Sequence, residues 1–303
     1  MLGAYTGYVV SDSGGLAALC GVHLDHSLAE YASSWLRHLS FSWRGARIEI
    51  DIGLAVTILA AFVVVGFVGY VLERGLIHFL YGRPLDTLLA TWGVGLMLQQ
   101  LVRLRFGADL KPLTLPAGLG GDAVLGGATI PYRNLFVIAV TVATLALVYV
   151  GFFRTRFGLK GRAVTQNRQM ASAIGISTRK VDALTFAFGS GLAGVAGCMV
   201  GHMYNVTPDM GMDYIVDAFM VVILGGMGRL SGTVLGGLVV GLTTSVLVKL
   251  FINSFASALR FQFPIWIEEV AQPMAHVAVL LMVIGFIMVR PSGLLALKER
   301  VYE

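Results

Sequence analysis

Charge is what this sequence has least of. Asp, Glu, Lys and Arg make up 13% of its 303 residues, against about 25% in an ordinary soluble domain, and from Ile52 to Leu72 there is none. With 56% hydrophobic residues and a mean hydropathy of +0.79, that shortage excludes a soluble domain and implies an integral membrane protein. Cysteine is scarce too. Cys20 and Cys198 are the only two, too few for a four-ligand zinc site, and their apolar surroundings imply inert buried thiols. There is no GxxxxGK[ST] phosphate loop, so the chain is not expected to hydrolyse ATP, and no HExxH zinc motif. Ser190 and His276 could be drawn as a serine dyad, but packing explains Gly189-Ser190-Gly191. No catalytic residue, metal or organic cofactor is therefore expected. The formal charge of +5 is not a nucleic-acid signal, because much of the basic excess lies in one loop and at the C-terminal end. No basic n-region precedes LGAYTGYVV, so no cleavable signal peptide is apparent.

What is present is a series of apolar segments. A hydrocarbon core of about 30 Å takes roughly 20 apolar helical residues. About eight spans are expected: 1–22 (interrupted by Asp12 and Gly14-Gly15), 52–72, 85–102, 134–153, 183–204, the short 215–224, 235–248 and 271–289. The fold class is all-α, a single polytopic transmembrane domain over 1–303. The polar segment 23–50, with Trp35 and Trp43 suited to an interface, is expected outside the membrane. Residues 107–131, rich in Gly and Pro, are expected to hold nothing longer than a turn, and 249–269 to form an amphipathic connector.

Orientation comes from the 153–181 loop. It carries Arg154, Arg156, Lys160, Arg162, Arg168, Arg179 and Lys180, with no acid before Asp182. Loops enriched in Lys and Arg stay in the cytoplasm. Alternation then puts 105–132, 205–214 and 249–269 outside, and 73–84 and the tail inside. Residues 161–174 can form a helix, with Gly175 as its left-handed C-terminal cap. Ser177 or Thr178 would cap the next helix, whose first turns hold Asp182. Such a basic helix is either a handle for another protein or a solvated segment on anionic lipid.

Small and polar residues recur at helical spacing. Gly189, Ala193, Gly197 and Gly201 share one face, as do Gly228, Gly232 and Gly236, and Gly237 with Gly241. Such faces let helix backbones approach closely in lipid. Thr87, Thr91, Gly95 and Gln99 form a polar stripe that should face protein or a water-filled path. Hydroxyl and amide groups suit a small polar solute; interhelical hydrogen bonding is the competing account. Asp217 is the acid deepest in an apolar run, read as structural and near the outer interface. His276 is read as neutral and hydrogen-bonded.

The wording of several segments adds to this. GRAVTQNRQMASAIGI resembles the coupling loop of permease subunits in the branched-chain amino acid and urea family of ABC importers. MLGAY, RPLDTLLATWGVGLMLQQ, VDALTFAFGSGLAGVAG, YIVDAFMVVILGGMGRLSGTVLGG and RPSGLLALKER are similar to that family as well, so the likeness covers most of the chain. The resemblance implies that an Ala-rich segment followed by Gly docks into a groove on the ATPase. It gives Arg162, Asn167, Ala171 and Gly175 that role, with Ala171 facing the groove. It implies ABC ATPase subunits, a second homologous permease subunit and an extracytoplasmic solute-binding protein as partners, in the plasma membrane. The phrases AVTQNRQMA, KVDALTF and YIVDAFMVV point to urea or a related small amide, with branched-chain amino acids as the alternative. A secondary transporter or channel is the remaining reading; it would couple through intramembrane charge, and only Asp217 is available. Family members carry a further helix before MLGAY, so the chain is expected to begin at a late methionine.

Overall fold

The structure, a computed structural model, describes residues 1–11, 52–80, 83–111, 122–125, 128–226, 230–258, 277–286 and 288. In chain order the elements are α1 (Leu2–Ser11), α2 (Ile52–Gly75), a 3-10 turn (Ile77–Leu80), α3 (Pro84–Phe106), β1 (Asp122–Leu125), β2 (Ala128–Pro131), α4 (Tyr132–Phe153), α5 (Arg156–Gln166), α6 (Arg168–Ala173), α7 (Thr178–Met203), α8 (Met210–Gly225) and α9 (Leu230–Ala258). A short apolar helix, α10 (Val277–Phe286), follows. Each expected span meets a helix: α1, α2, α3, α4, α7, α8, α9 and α10. Among the described residues four stretches, Leu54–Gly75, Tyr132–Phe153, Thr178–Met203 and Leu230–Leu247, are long and apolar enough to cross a membrane. Large apolar side chains such as Leu59, Phe67, Leu88 and Ile138 are exposed, as a surface facing lipid or another subunit requires.

Residues 1–211 and 212–303 form two compact units. The first is built on α1, α2 and α7, which approach through small residues. A Cβ on Gly191 would lie 2.9 Å from the Phe62 carbonyl oxygen, and one on Gly194 would lie 2.7 Å from that of Ala61. The expected stripe on α7 is therefore met only in part: Gly201 is buried and a Cβ on Gly197 would lie 3.5 Å from the Ala4 nitrogen of α1, but its first two members stand off. Gly189 and Ala193 are exposed, and among the described residues nothing outside its own helix lies within 4 Å of a Cβ built on Gly189. The reason is geometric: four residues advance an α-helix by a turn plus about 40°, so a four-residue series winds off a straight contact. Ala61, Cys198 and Met199 fill the core beside this contact, with Ile58 and Phe136 against them. Cys198 is buried as expected; Cys20 lies outside the described residues.

In the second unit α8 and α9 pack by the same device. A Cβ on Gly225 would run into the Gly232 carbonyl oxygen, and one on Gly236 would meet that of Val221 at 2.6 Å. Gly232 and Gly236 thus sit at a close helix contact, while Gly228 is outside the described residues. Met220, Leu224, Val240, Val279 and Val283 form the core here.

Two expectations are corrected. The 107–131 stretch holds a β-hairpin, with Asp122 opposite Pro131 and Val124 opposite Thr129. Two glycines between the strands in the sequence suit so short a connection. Helix α9 runs to Ala258, into the expected connector, because neither Pro nor Gly interrupts residues 242–258. The 23–50 segment and His276 lie outside the described residues.

Candidate functional site

The basic loop folds as two short helices. Thr155 caps α5, its Oγ1 accepting from the Gly158 N–H at 3.3 Å. The expected single helix is broken at Asn167, which is extended (φ −151°, ψ 103°) and whose Oδ1 accepts from the Met170 N–H at 3.0 Å. Asn competes well for backbone donors, so it ends α5 and starts α6. Helix α6 closes as the cap at Gly175 requires. Gly175 has φ +88°, its N–H donates to the Ser172 carbonyl, and the Ile176 N–H donates to that of Ala171, both at 3.0 Å. This doubly bonded left-handed cap brings the residue after Gly back onto the helix. Ile176 accordingly packs with Val164, Ala171 and Val181. Ser177 is the N-cap of α7, without a side-chain bond.

Ala171 is therefore placed differently from the expectation attached to it. It is 3% exposed and packs inside the loop. What the loop turns outward is Met170, 60% exposed, and Ile174, 75% exposed, flanked by exposed Arg162 and Gln169. Arg162 stands 5.3 Å over the Phe153 ring, a cation–π contact tying α5 to the end of α4. Arg168 donates to Asp182 at 2.6 Å, so Asp182 anchors the loop rather than serving only the α7 dipole. A groove of about 660 Å³ runs between loop and bundle, lined by residues including Phe152, Val164, Asp182 and Ser190.

The polar stripe lies on α3. Thr87 donates to the Leu80 and Arg83 carbonyls at 3.1 and 2.9 Å. Thr91 donates to those of Thr87 and Leu88 at 2.9 and 3.0 Å. Both hydroxyl protons are thus satisfied locally, leaving oxygen lone pairs to accept. Among the described residues, no atom outside its own helix comes within 4 Å of a Cβ built on Gly95, so the stripe has space beside it there. Gln99 departs from the other two: its Nε2 donates to Asp209. Arg103 donates to both Asp209 carboxylate oxygens, at 2.5 and 2.6 Å. An antiparallel bridge between Lys111 and Val206 and a cluster of Ala4, Tyr5, Val102, Val206 and Met210 complete this clamp. Arg103's hydrogen bond, with its charge and Gln99 in support, holds the Asp209 carboxyl below its usual range.

Three groups escaped sequence reading: Asp209, Glu73 and His202. Glu73 is 2% exposed. His202 is 5% exposed, and its Nδ1 bonds the Cys198 carbonyl at 2.8 Å. Asp217, expected as a structural acid, borders a cleft of about 430 Å³ with Asp213, Met220, Val277 and Leu280. Among the described residues no cluster of three metal-ligating side chains occurs.

The family profile described as "Branched-chain amino acid transport system / permease component" matches residues 1–289. A curated relative, the high-affinity branched-chain amino acid transport system permease protein BraD of Pseudomonas aeruginosa, is 30% identical over 209 residues, 67% of each chain. Its counterpart LivH of Escherichia coli is 31% identical over 170 residues, so the match spans 54% of each chain. The ribose import permease protein RbsC of Bacillus subtilis is 29% identical over 132 residues, 41% of each. No solved structure gives a significant match. The helices long enough to cross a membrane and these relatives agree on a multi-pass protein of the plasma membrane. With 289 residues inside one profile, this chain belongs to the family of branched-chain amino acid transport system permease components.

Proposed function

We propose that this chain is the membrane-spanning permease subunit of an ABC importer for branched-chain amino acids. ATP would be hydrolysed on partner ATPase subunits, with a second homologous permease and an extracytoplasmic binding protein completing the system. The observation that carries the reading is the family match over 1–289, supported by two relatives named for branched-chain amino acids. Urea, the solute favoured by sequence phrasing, has no support from these relatives. The ribose permease aligns over a smaller share of the chain.

In this reading the 154–182 loop receives the ATPase stroke. Gly175 and Asn167 shape α6, Ala171 is the internal packing piece, and Arg162, Met170 and Ile174 form the outward face. A loop held by two caps, an ion pair and a small apolar core is rigid enough to pass displacement into α7. Thr87 and Thr91 would line the solute path, their free lone pairs accepting from the ammonium group of an amino acid. Gln99, tied to Asp209, would stand at the outer end of that path.

The test is co-purification. Tagged chain expressed with the ATPase subunits of its transport system should retain them. Met170→Glu with Ile174→Glu should lose them while the permease level in the membrane stays unchanged. Retention of ATPase by this doubly charged variant would remove the loop from the interface.

A further inference from the structure

A carboxylate within a membrane helix is costly unless something meets its charge. Glu73 stands in the last turn of α2, is 2% exposed, and its Oε1 accepts no hydrogen bond from any described residue. Gly69, one turn earlier on α2, packs against Ala187 and Ser190 of α7, so this antiparallel register brings Glu73 beside the start of α7, where Asp182 and its partner Arg168 stand; Arg74 of its own helix and His78 of the 3-10 turn are its other titratable neighbours. Arg74 is turned over the Tyr70 ring, 5.6 Å from its centre. Arg168 and Asp182 are the ion pair that fastens the loop to α7, and the Arg168 side chain is 46% exposed. One guanidinium, with five N–H donors in a fork, therefore lies in the field of two carboxylates. One of these holds it, and the other keeps a buried oxygen without a donor.

We propose that Glu73 is a positioning residue for the loop: a second seat for the Arg168 guanidinium, which passes from Asp182 to Glu73 when the loop is pressed toward the bundle. The proposal rests on the permease reading, since it is the partner ATPase that would press the loop. The described arrangement is then one of two, Arg168 on Asp182, and the displaced one pairs Arg168 with Glu73. Because the partners are discrete, the loop exchanges between two positions rather than bending continuously. Glu73 belongs to α2, and α2 packs on α7 through Gly191 and Gly194. Seating Arg168 on Glu73 thus ties the loop to both helices at once.

The experiment compares the unmodified chain with Glu73→Gln, Asp182→Asn and the double variant. Thermal unfolding of the purified permease reads the exchange without any ATPase. Asp182→Asn alone should cost little, because Glu73 takes up the guanidinium. The double variant should lose more than the sum of the single losses, the sign of a shared partner. In the complex with ATPase, Glu73→Gln should retain the ATPase yet lower solute uptake per ATP about tenfold, a typical coupling between sites. Glu73→Asp should restore part of that loss, and Asp182→Asn should raise ATP hydrolysis in the absence of solute. Additive stability losses, or uptake per ATP by Glu73→Gln at the unmodified level, would overturn the proposal. Failure of the unmodified chain to hold an ATPase overturns the permease reading instead, while the unfolding cycle still reads the Arg168 exchange.

Discussion

Gly175 offers the cleanest perturbation of the loop. It has φ +88°, and among the described residues nothing beyond its chain neighbours lies within 4 Å of a Cβ built there. A side chain at this position therefore meets no neighbour, and its whole cost is backbone. Placing an L-residue in the left-handed region costs about 1–2 kcal/mol, less for Asn, which bonds locally and visits that region routinely. The expected order of damage is Asn, then Ala, then Val, whose branched Cβ is least tolerant of positive φ. A cost of about 1–2 kcal/mol multiplies the population of the opened loop by about 5–30. Proteolysis reads that population when reclosing outpaces cutting. Trypsin has sites at Arg162, Arg168, Arg179 and Lys180, so cleavage of detergent-purified permease within 154–182 should quicken about 5- to 30-fold for Gly175→Ala. Equal cleavage of Gly, Ala and Val chains, or Asn as damaging as Val, would refute the left-handed cap.

Other outcomes follow from contacts elsewhere. Gly194→Leu should lower the amount of folded permease in the membrane, because even a Cβ would stand 2.7 Å from the Ala61 carbonyl oxygen; Gly189→Ala, with open space around it, should not, and membrane-fraction blots compare them. The Asp209 carboxyl is held low by Arg103, so its contribution to stability is present above the ordinary carboxylate range and is lost as pH falls through the depressed folded value. Unfolding midpoints between neutral and acid pH should therefore converge with those of Asp209→Asn only at low pH. Thr91→Val should reduce uptake more than membrane level, and equal uptake would make the stripe mere packing. A cysteine at Gln166 should resist impermeant reagents in intact cells; labelling there would invert the topology.

Much of the bundle was legible because lipid imposes a simple rule. Apolar runs of sufficient length must be helical, and the Lys/Arg-rich loop marks the cytoplasmic side. The cap at Gly175 was legible as well, since the requirement for positive φ is local. What sequence could not supply was direction and distance. Whether Ala171 points into the loop or out of it depends on Val164 and Val181, which only folding brings together. Asn167 is an acceptable helix residue until its side chain takes the Met170 N–H. Asp209 reads as a polar turn residue because its partner Arg103 is 106 positions away. Glu73, at the end of a long apolar run, carries no local sign of burial, yet the bundle buries it. The winding of α7 moved the contact from Gly189 and Ala193 to Gly191 and Gly194, a shift set by what α2 presents.

Reconstituted uptake tests the central claim most directly. The permease, its ATPase subunits, partner permease and binding protein are placed in vesicles with labelled leucine and ATP, with excess isoleucine, valine, urea or ribose as competitor. The account predicts ATP-dependent leucine accumulation that isoleucine and valine suppress and urea and ribose do not. Accumulation without ATP, or suppression by urea or ribose in place of the branched-chain amino acids, would contradict it.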